Sequence, residues 1–164
     1  MNELVEVLIG DSAHARPAQI LEGLGAEHVH GGVEGAPHTI FEELWHMAFW
    51  QQVTLDWIAG IETPFPAHAS DGFPSQAETG GENWDRLRER FFEGSQQAAA
   101  VARDAEQLER LVRCPSRPPL PARTMTAREQ LESLGAHNAY HFGRIVLLRQ
   151  LLGVWPPPSG GYSW

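Results

Sequence analysis

Residues 126–152 read TAREQLESLGAHNAYHFGRIVLLRQLL, and this stretch decides the fold. Leu131, Leu134, Asn138, His141, Ile145, Leu148 and Leu152 follow one another at alternating steps of three and four residues. Such spacing sets all of them along one stripe of an α-helix, the seam by which a helix faces a core. Thr126 and Glu129 form a capping box at the start, and Gly153 with Pro156-Pro157-Pro158 stops the helix at the other end. Two seam positions are polar, Asn138 and His141. An imidazole on a core seam is costly unless it finds a partner.

Working outward, three more helical segments separate. One runs from Pro37 or His38 to Ala59, with Gly60 as its C-cap. It is apolar almost all round (Phe41, Leu44, Trp45, Met47, Phe49, Trp50, Val53, Leu55, Trp57, Ile58), so it should be the most buried helix, and His46 lies inside it. Another runs from about Glu82 to Val112, starting near Asn83. The first runs from about Asn2 to Leu24, broken near Gly10-Asp11-Ser12 and again at Pro17, and ends at Gly23 and Gly25. No alternating β-branched run and no Asn-Gly hairpin appears. The expected fold class is all-α, a four-helix bundle in one domain over residues 1–164. Residues 61–81 make a connection longer than the 2–8 residues usual in bundles. About twenty residues can run the length of a ~30 Å helix. Helices two and three can then lie parallel, which leaves an up-down-down-up order open beside simple up-down-up-down.

With 164 residues, 42% hydrophobic and 20% charged, the chain is neither a disordered tail nor a disulfide-stapled mini-protein. No apolar run reaches the ~20 residues that span a bilayer. The acidic start MNELVEVLIGDS is unlike a targeting peptide, and the single cysteine, Cys114, can form neither an internal disulfide nor a cysteine-based zinc site. The expected compartment is the cytoplasm. A net charge of −9 argues against nucleic acid as the main ligand. Residues 1–80 carry 12 acids and one arginine, and residues 81–164 carry 9 acids and 11 arginines. The absence of lysine excludes Schiff-base and P-loop chemistry. Histidine stands out, with eight residues, and it is the commonest metal ligand.

His137 and His141, spaced i, i+4, share one helical face one turn apart, the geometry by which two histidines chelate one metal. His46 would supply a third ligand: in an antiparallel pair it lies within a few Å of the same height, at ~1.5 Å per residue. Three imidazoles with open positions describe a catalytic site, and they accept nickel, copper or zinc. A bare HxxxH also arises by chance, and a seam histidine is as readily a hydrogen-bonded core residue. A di-iron carboxylate site fails. Glu43-x-x-His46 has the needed step, but the positions three before His137 and His141 are Leu134 and Asn138.

Arg144 shares the metal face and is a candidate to hold a substrate carboxylate, or else it pairs with an acid such as Glu43. Glu42 or Glu43 could orient an imidazole or act as general base, or simply favour a helix start. His14 is a candidate fourth ligand, proton shuttle or pocket-lining residue. Tyr140 reads as a packing aromatic. His28, His30, His38 and His68 read as surface, and Cys114, beside Pro115, as a loop residue. The terminal WPPPSGGYSW reads as a rigid tail packed on the bundle, or a subunit contact or lid, which makes a homodimer an expectation.

The sequence resembles the DinB/YfiT-like family of metal-binding four-helix bundles. The likeness rests on His46 within FEELWHMAFWQQVTLDWI and on HNAYHFGRIVLLRQLLGVWPPPSGG, with support from Ala13-His14, Trp84 and the Thr-x-x-Glu box. It implies an up-down-down-up bundle and a divalent metal, commonly zinc or nickel, held by His46, His137 and His141. Family activities include thiol S-transfer with mycothiol, bacillithiol or glutathione, thiol-dependent isomerisation and hydrolysis. Many relatives carry Gln where this chain has Arg144. Three functions follow as expectations. The first is a thiol S-transferase with a low-molecular-weight thiol as cosubstrate, and the second a hydrolase using Glu43 or His14 to move protons. The third is a bundle that binds a metal or small ligand without turnover. In each case the partner is a small molecule, not nucleic acid or a membrane.

Overall fold

The computed structural model describes residues 2–10 and 12–160. The chain is mostly helical, with one small sheet. In order come α1 (Glu3–Ile9), α2 (Pro17–Ile20), α3 (Ala26–Val29), α4 (Ile40–Ala59), α5 (Gln76–Gly81), α6 (Trp84–Ala102), α7 (Ala105–Leu108), strands β1 (Leu111–Cys114) and β2 (Arg123–Thr126), and α8 (Ala127–Leu151). None of these helices is long and apolar enough to cross a membrane.

The seam of α8 is buried as its spacing requires: Leu131, Leu134, Asn138, His141, Ile145 and Leu148 are all inside, and Leu152 is half-buried beyond the last turn. The Thr126–Glu129 capping box is present. Helix α4 is clothed in neighbours, α6 on one side and α8 on another, while α1 packs against the same two partners. Its N-terminus is set by a second capping box. Glu42 Oε2 accepts the Thr39 N–H at 2.7 Å and Thr39 Oγ1 accepts the Glu42 N–H at 3.3 Å. The helix therefore starts at Ile40, not at Pro37 or His38. Gly60 ends it at φ 83°, a left-handed conformation that glycine adopts at no steric cost.

Contact between α4 and α6 is fixed by Gln51. Its amide donates to Phe91 O at 2.8 Å and its carbonyl accepts from Ser95 Oγ at 3.1 Å. A Cβ on Gly94 would fall 2.1 Å from the Gln51 amide nitrogen, so the glycine permits this close approach.

The all-α expectation broadly holds, and a small two-stranded sheet is added to it. The third segment stops at Ala102, ten residues short of Val112. Asp104 then accepts the Glu106 and Gln107 N–H groups at 3.0 and 3.1 Å and starts the short α7. Strands β1 and β2 pair antiparallel, Leu111 opposite Thr126 and Cys114 opposite Arg123. Val112 and Cys114 are buried between exposed neighbours. This is a period-two pattern, only four residues long and therefore easy to overlook. Pro17 begins α2 in place of kinking a longer helix. The long connection after α4 is not a plain crossover, since it holds a 3₁₀ turn (Ala69–Gly72) and α5, capped by Ser75.

Arg149, buried in α8, donates to Ile20 O at 2.5 Å and to Val154 O at 2.9 Å and lies over the Trp155 ring. Ser159 donates through its backbone to Glu22 at 3.2 Å, and Pro157 is buried. The described part of the C-terminal tail thus packs near α2; residues 161–164 lie outside the described residues.

The Thr39 cap decides where α4 starts, and with it the first turn that carries Glu43. Thr39→Ala should lower the unfolding free energy by about 1 kcal/mol and the melting temperature by roughly 2–4 °C, with Thr39→Ser near the parent. Calorimetry on the three proteins checks this, and an unchanged Thr39→Ala protein would contradict it.

Candidate metal centre

Helix α4 presents Glu43 and His46 at i, i+3, and α8 presents His137, His141 and Arg144 at i, i+4, i+7. Both spacings keep side chains on one helical face. Across the interface the imidazoles of His46, His137 and His141 converge, with one nitrogen from each lying within 4.8 Å of the others. Ring centroids stand 4.4 to 5.1 Å apart.

Two of the imidazoles are held from behind. His46 Nδ1–H donates to Gly72 O at 2.8 Å. His141 Nδ1–H donates to Glu43 Oε2 at 2.6 Å. With the proton fixed on Nδ1, the lone pair of each ring sits on Nε2. The two Nε2 atoms of His46 and His137 are 3.1 Å apart. Two lone pairs at that separation repel unless a proton or cation lies between them. Two nitrogens bound ~2.05 Å from a tetrahedral ion stand about 3.3 Å apart, close to what is seen. The donor set, its spacing and the hydrogen bonds behind it therefore fit a divalent ion.

Electrostatics keeps His46 and His137 neutral near pH 7. Burial, followed by a hydrogen bond to Gly72 acting the other way and the charge of His141, pushes His46 down to about 4 from 6.5. Burial and the charges of His141 and His46 bring His137 down to about 4 as well. Glu43 has no exposed surface. Burial alone would raise its carboxyl. The His141 hydrogen bond and the charges of Arg144 and His141 outweigh burial and hold the carboxyl below its ordinary value. Arg144 completes the chain: its Nε and Nη2 lie 2.8 and 2.7 Å from Glu43 Oε1. Its Nη1 donates to Tyr140 Oη at 3.2 Å.

Glu42 and Glu43, equivalent by sequence, divide: Glu42 caps α4 and Glu43 orients His141. Arg144 takes the acid-pairing alternative. His14 is not brought to the cluster. Its Nδ1–H donates to Ala15 O at 2.8 Å, its ring packs on Phe142, and it lines a separate hollow between α1 and α8. Tyr140 is 61% exposed, so it supports Arg144 instead of packing in the core. Cys114 lies in β1, not in a loop, and burial raises its thiol pKa. His30 and His68 are exposed and His28 half-exposed.

His38 departs from the surface reading. It stacks on Phe73 at 3.7 Å between centroids, and Phe73 stacks in turn on His46 at 4.1 Å. Sequence reasoning missed Phe73 and the Gly72 carbonyl. A backbone oxygen has no residue type to reveal it, and only the folding of the 61–81 connection back onto α4 brings both into place.

Protein purified without an affinity tag should carry about one divalent ion per chain. His46→Ala, His137→Ala and His141→Ala should each cut occupancy strongly by elemental analysis, and Glu43→Gln should cut affinity by roughly 10–100-fold. Full occupancy in His46→Ala would remove α4 from the site. A second expectation concerns metal-stripped protein. His46 and His137 ionise near pH 4 when folded but near 6.5 when unfolded. Between those values the unfolded chain binds more protons, so stability falls as pH drops from about 6.5 to about 4. Glu43 adds a loss below its ordinary 4.5, where its depressed carboxyl protonates. Urea midpoints should fall across this window, less so in His137→Gln, and a flat profile would contradict the burial of these rings.

A family model described as DinB superfamily matches residues 1–145. No curated protein matches the chain. The matched region runs through α4 and most of α8 and contains His46, His137 and His141. The chain belongs to the DinB superfamily.

Proposed function

We propose that the protein is a metal-dependent thiol S-transferase acting on an electrophilic small molecule, with zinc or nickel at His46, His137 and His141. The observation that carries this reading is the engagement of Glu43. Both its oxygens are taken, one by His141 and one by Arg144, and none of it is exposed. The hydrolase expected from the sequence uses Glu43 or His14 to move protons at a metal-bound water. Glu43 is not poised for this, and His14 lines a different hollow. A thiol of pKa ~8.5 needs only to have that value lowered. A divalent ion held by the three imidazoles would supply this by lowering the thiol pKa.

The remaining work falls to the chain. Glu43 keeps the His141 proton on Nδ1 and the ring turned inward. Arg144 balances the Glu43 charge, so that the carboxylate stays an acceptor. Gly72 O does for His46 what Glu43 does for His141. The Phe73 ring covers one face of His46 and limits water there. We also read α1, α4, α6 and α8 as an up-down-down-up bundle. Support comes from the pairing of Glu43 with His141 and of His46 with His137, which runs antiparallel, and from the length of the 61–81 connection between α4 and α6.

Zinc- or nickel-loaded protein, given 1-chloro-2,4-dinitrobenzene and glutathione, bacillithiol or mycothiol in turn, should form the thioether with one thiol and release chloride. Chelation should abolish the reaction, and His46→Ala should slow it at least 100-fold. Thiol-independent cleavage of an activated ester at the same centre would make the protein a hydrolase. No turnover with any thiol would leave a binding protein.

A further inference from the structure

Beside the centre lies a hollow of about 140 Å³ lined by His137 and walled by Trp50, Trp57 and Phe65, with Arg123, an exposed residue of β2, also on its lining. Phe65 stands between the two indoles, 5.1 Å from Trp50 and 6.5 Å from Trp57. Trp57 is fixed by its N–H, which donates to Thr63 O at 2.7 Å. The hollow continues past Phe65 and Arg123 into a second one of about 330 Å³, lined also by Arg117 and Leu120. Among the described residues no acid lines either. That is unusual in a chain of net charge −9. Glu34 sits in the hollow of Arg144, Glu3 and Glu132 in that of His14, and Glu62 in that of Arg113.

The Arg123 side chain makes no hydrogen bond or ion pair among the described residues, and its charge acts on the buried Cys114 thiol across the strand pair. Arg144, the arginine nearest the ligands in sequence, is already neutralised by Glu43. A fixed cation facing an acid-free cleft with aromatic walls is a seat for an anion on an apolar body.

We propose that the ligand of this centre carries a carboxylate, held by Arg123, at the end opposite the group that reaches the three histidines. Its carbon skeleton lies against Trp50, Trp57 and Phe65, and longer ligands run on toward Arg117. This deepens the thiol reading and rests on it for the identity of the metal-facing group, but the carboxylate seat does not need that reading. The selectivity expected is for thiol acids over neutral thiols.

Calorimetric titration separates the two claims, using 3-mercaptopropionate, its amide and 3-hydroxypropionate as probes. The chain is tested both zinc-loaded and metal-stripped. In both forms the acid should bind at least several-fold more tightly than the amide. Arg123→Gln should reduce acid affinity about tenfold, as loss of a charge-assisted hydrogen bond would. It should leave the amide unchanged. Arg103→Gln, which removes the same charge at the end of α6, should change neither. Acid and amide binding equally, no binding of either, or equal losses in the two arginine variants would overturn the carboxylate seat. Equal binding of 3-mercaptopropionate and 3-hydroxypropionate to zinc-loaded protein would overturn the thiol reading. The seat would then stand, provided that the acid still outbinds the amide.

Discussion

The buried carboxylate of Glu43 is the constraint on which the site depends. A charge with no exposed surface is costly unless opposite charge and hydrogen bonds surround it, and here both come from the facing helix. His141 at 2.6 Å and Arg144 at 2.7–2.8 Å bind opposite oxygens, so α8 can neither slide nor rotate against α4 without stranding the charge. The same clasp sets the height of His137 against His46, because each pair sits one turn along from it. Glu43 therefore acts twice: it aims one imidazole and it holds the register that lets the other two meet.

The second fixed point is a peptide oxygen. Gly72 closes a 3₁₀ turn and its carbonyl takes the His46 proton. The neighbouring Phe73 is sandwiched between His46 and His38. A Cβ at Gly72 would come within 3.4 Å of both His46 Nδ1 and the Trp50 indole nitrogen, tighter than most contacts of that kind. The small residue lets the connection approach α4 closely enough to support a ligand. This gives the long 61–81 segment a purpose beyond joining two helices: it roofs the centre and, through Phe65, walls the cleft beside it.

Much of this was legible in the sequence, and for a physical reason. Periodicity reports which face of a long helix is buried, so the α8 seam and its cap could be read from spacing, while the choice of His46, His137 and His141 as ligands over packed core residues rested on the resemblance to the DinB/YfiT-like family. Glu42 and Glu43 stand four and three residues before His46, spacings that both keep a carboxylate on the histidine's side, and the cap that claims Glu42 depends on where α4 begins. Strands β1 and β2 escaped because four alternating residues carry too little pattern. His14 lies between the two breaks of its segment, in the connection from α1 to α2, so no helical face aims it at the cluster. Arg144 drew attention by its closeness in sequence to the ligands. Arg123, reached only through strand pairing and a loop, faces the cleft instead.

X-ray absorption at the edge of the bound metal tests the central claim most directly, because it counts imidazoles around the ion. Zinc-loaded protein should show three imidazole nitrogens at ~2.0–2.1 Å, falling to two in His46→Ala. A spectrum without imidazole scattering, or one that His46→Ala leaves unchanged, would contradict a centre built by α4 and α8 together.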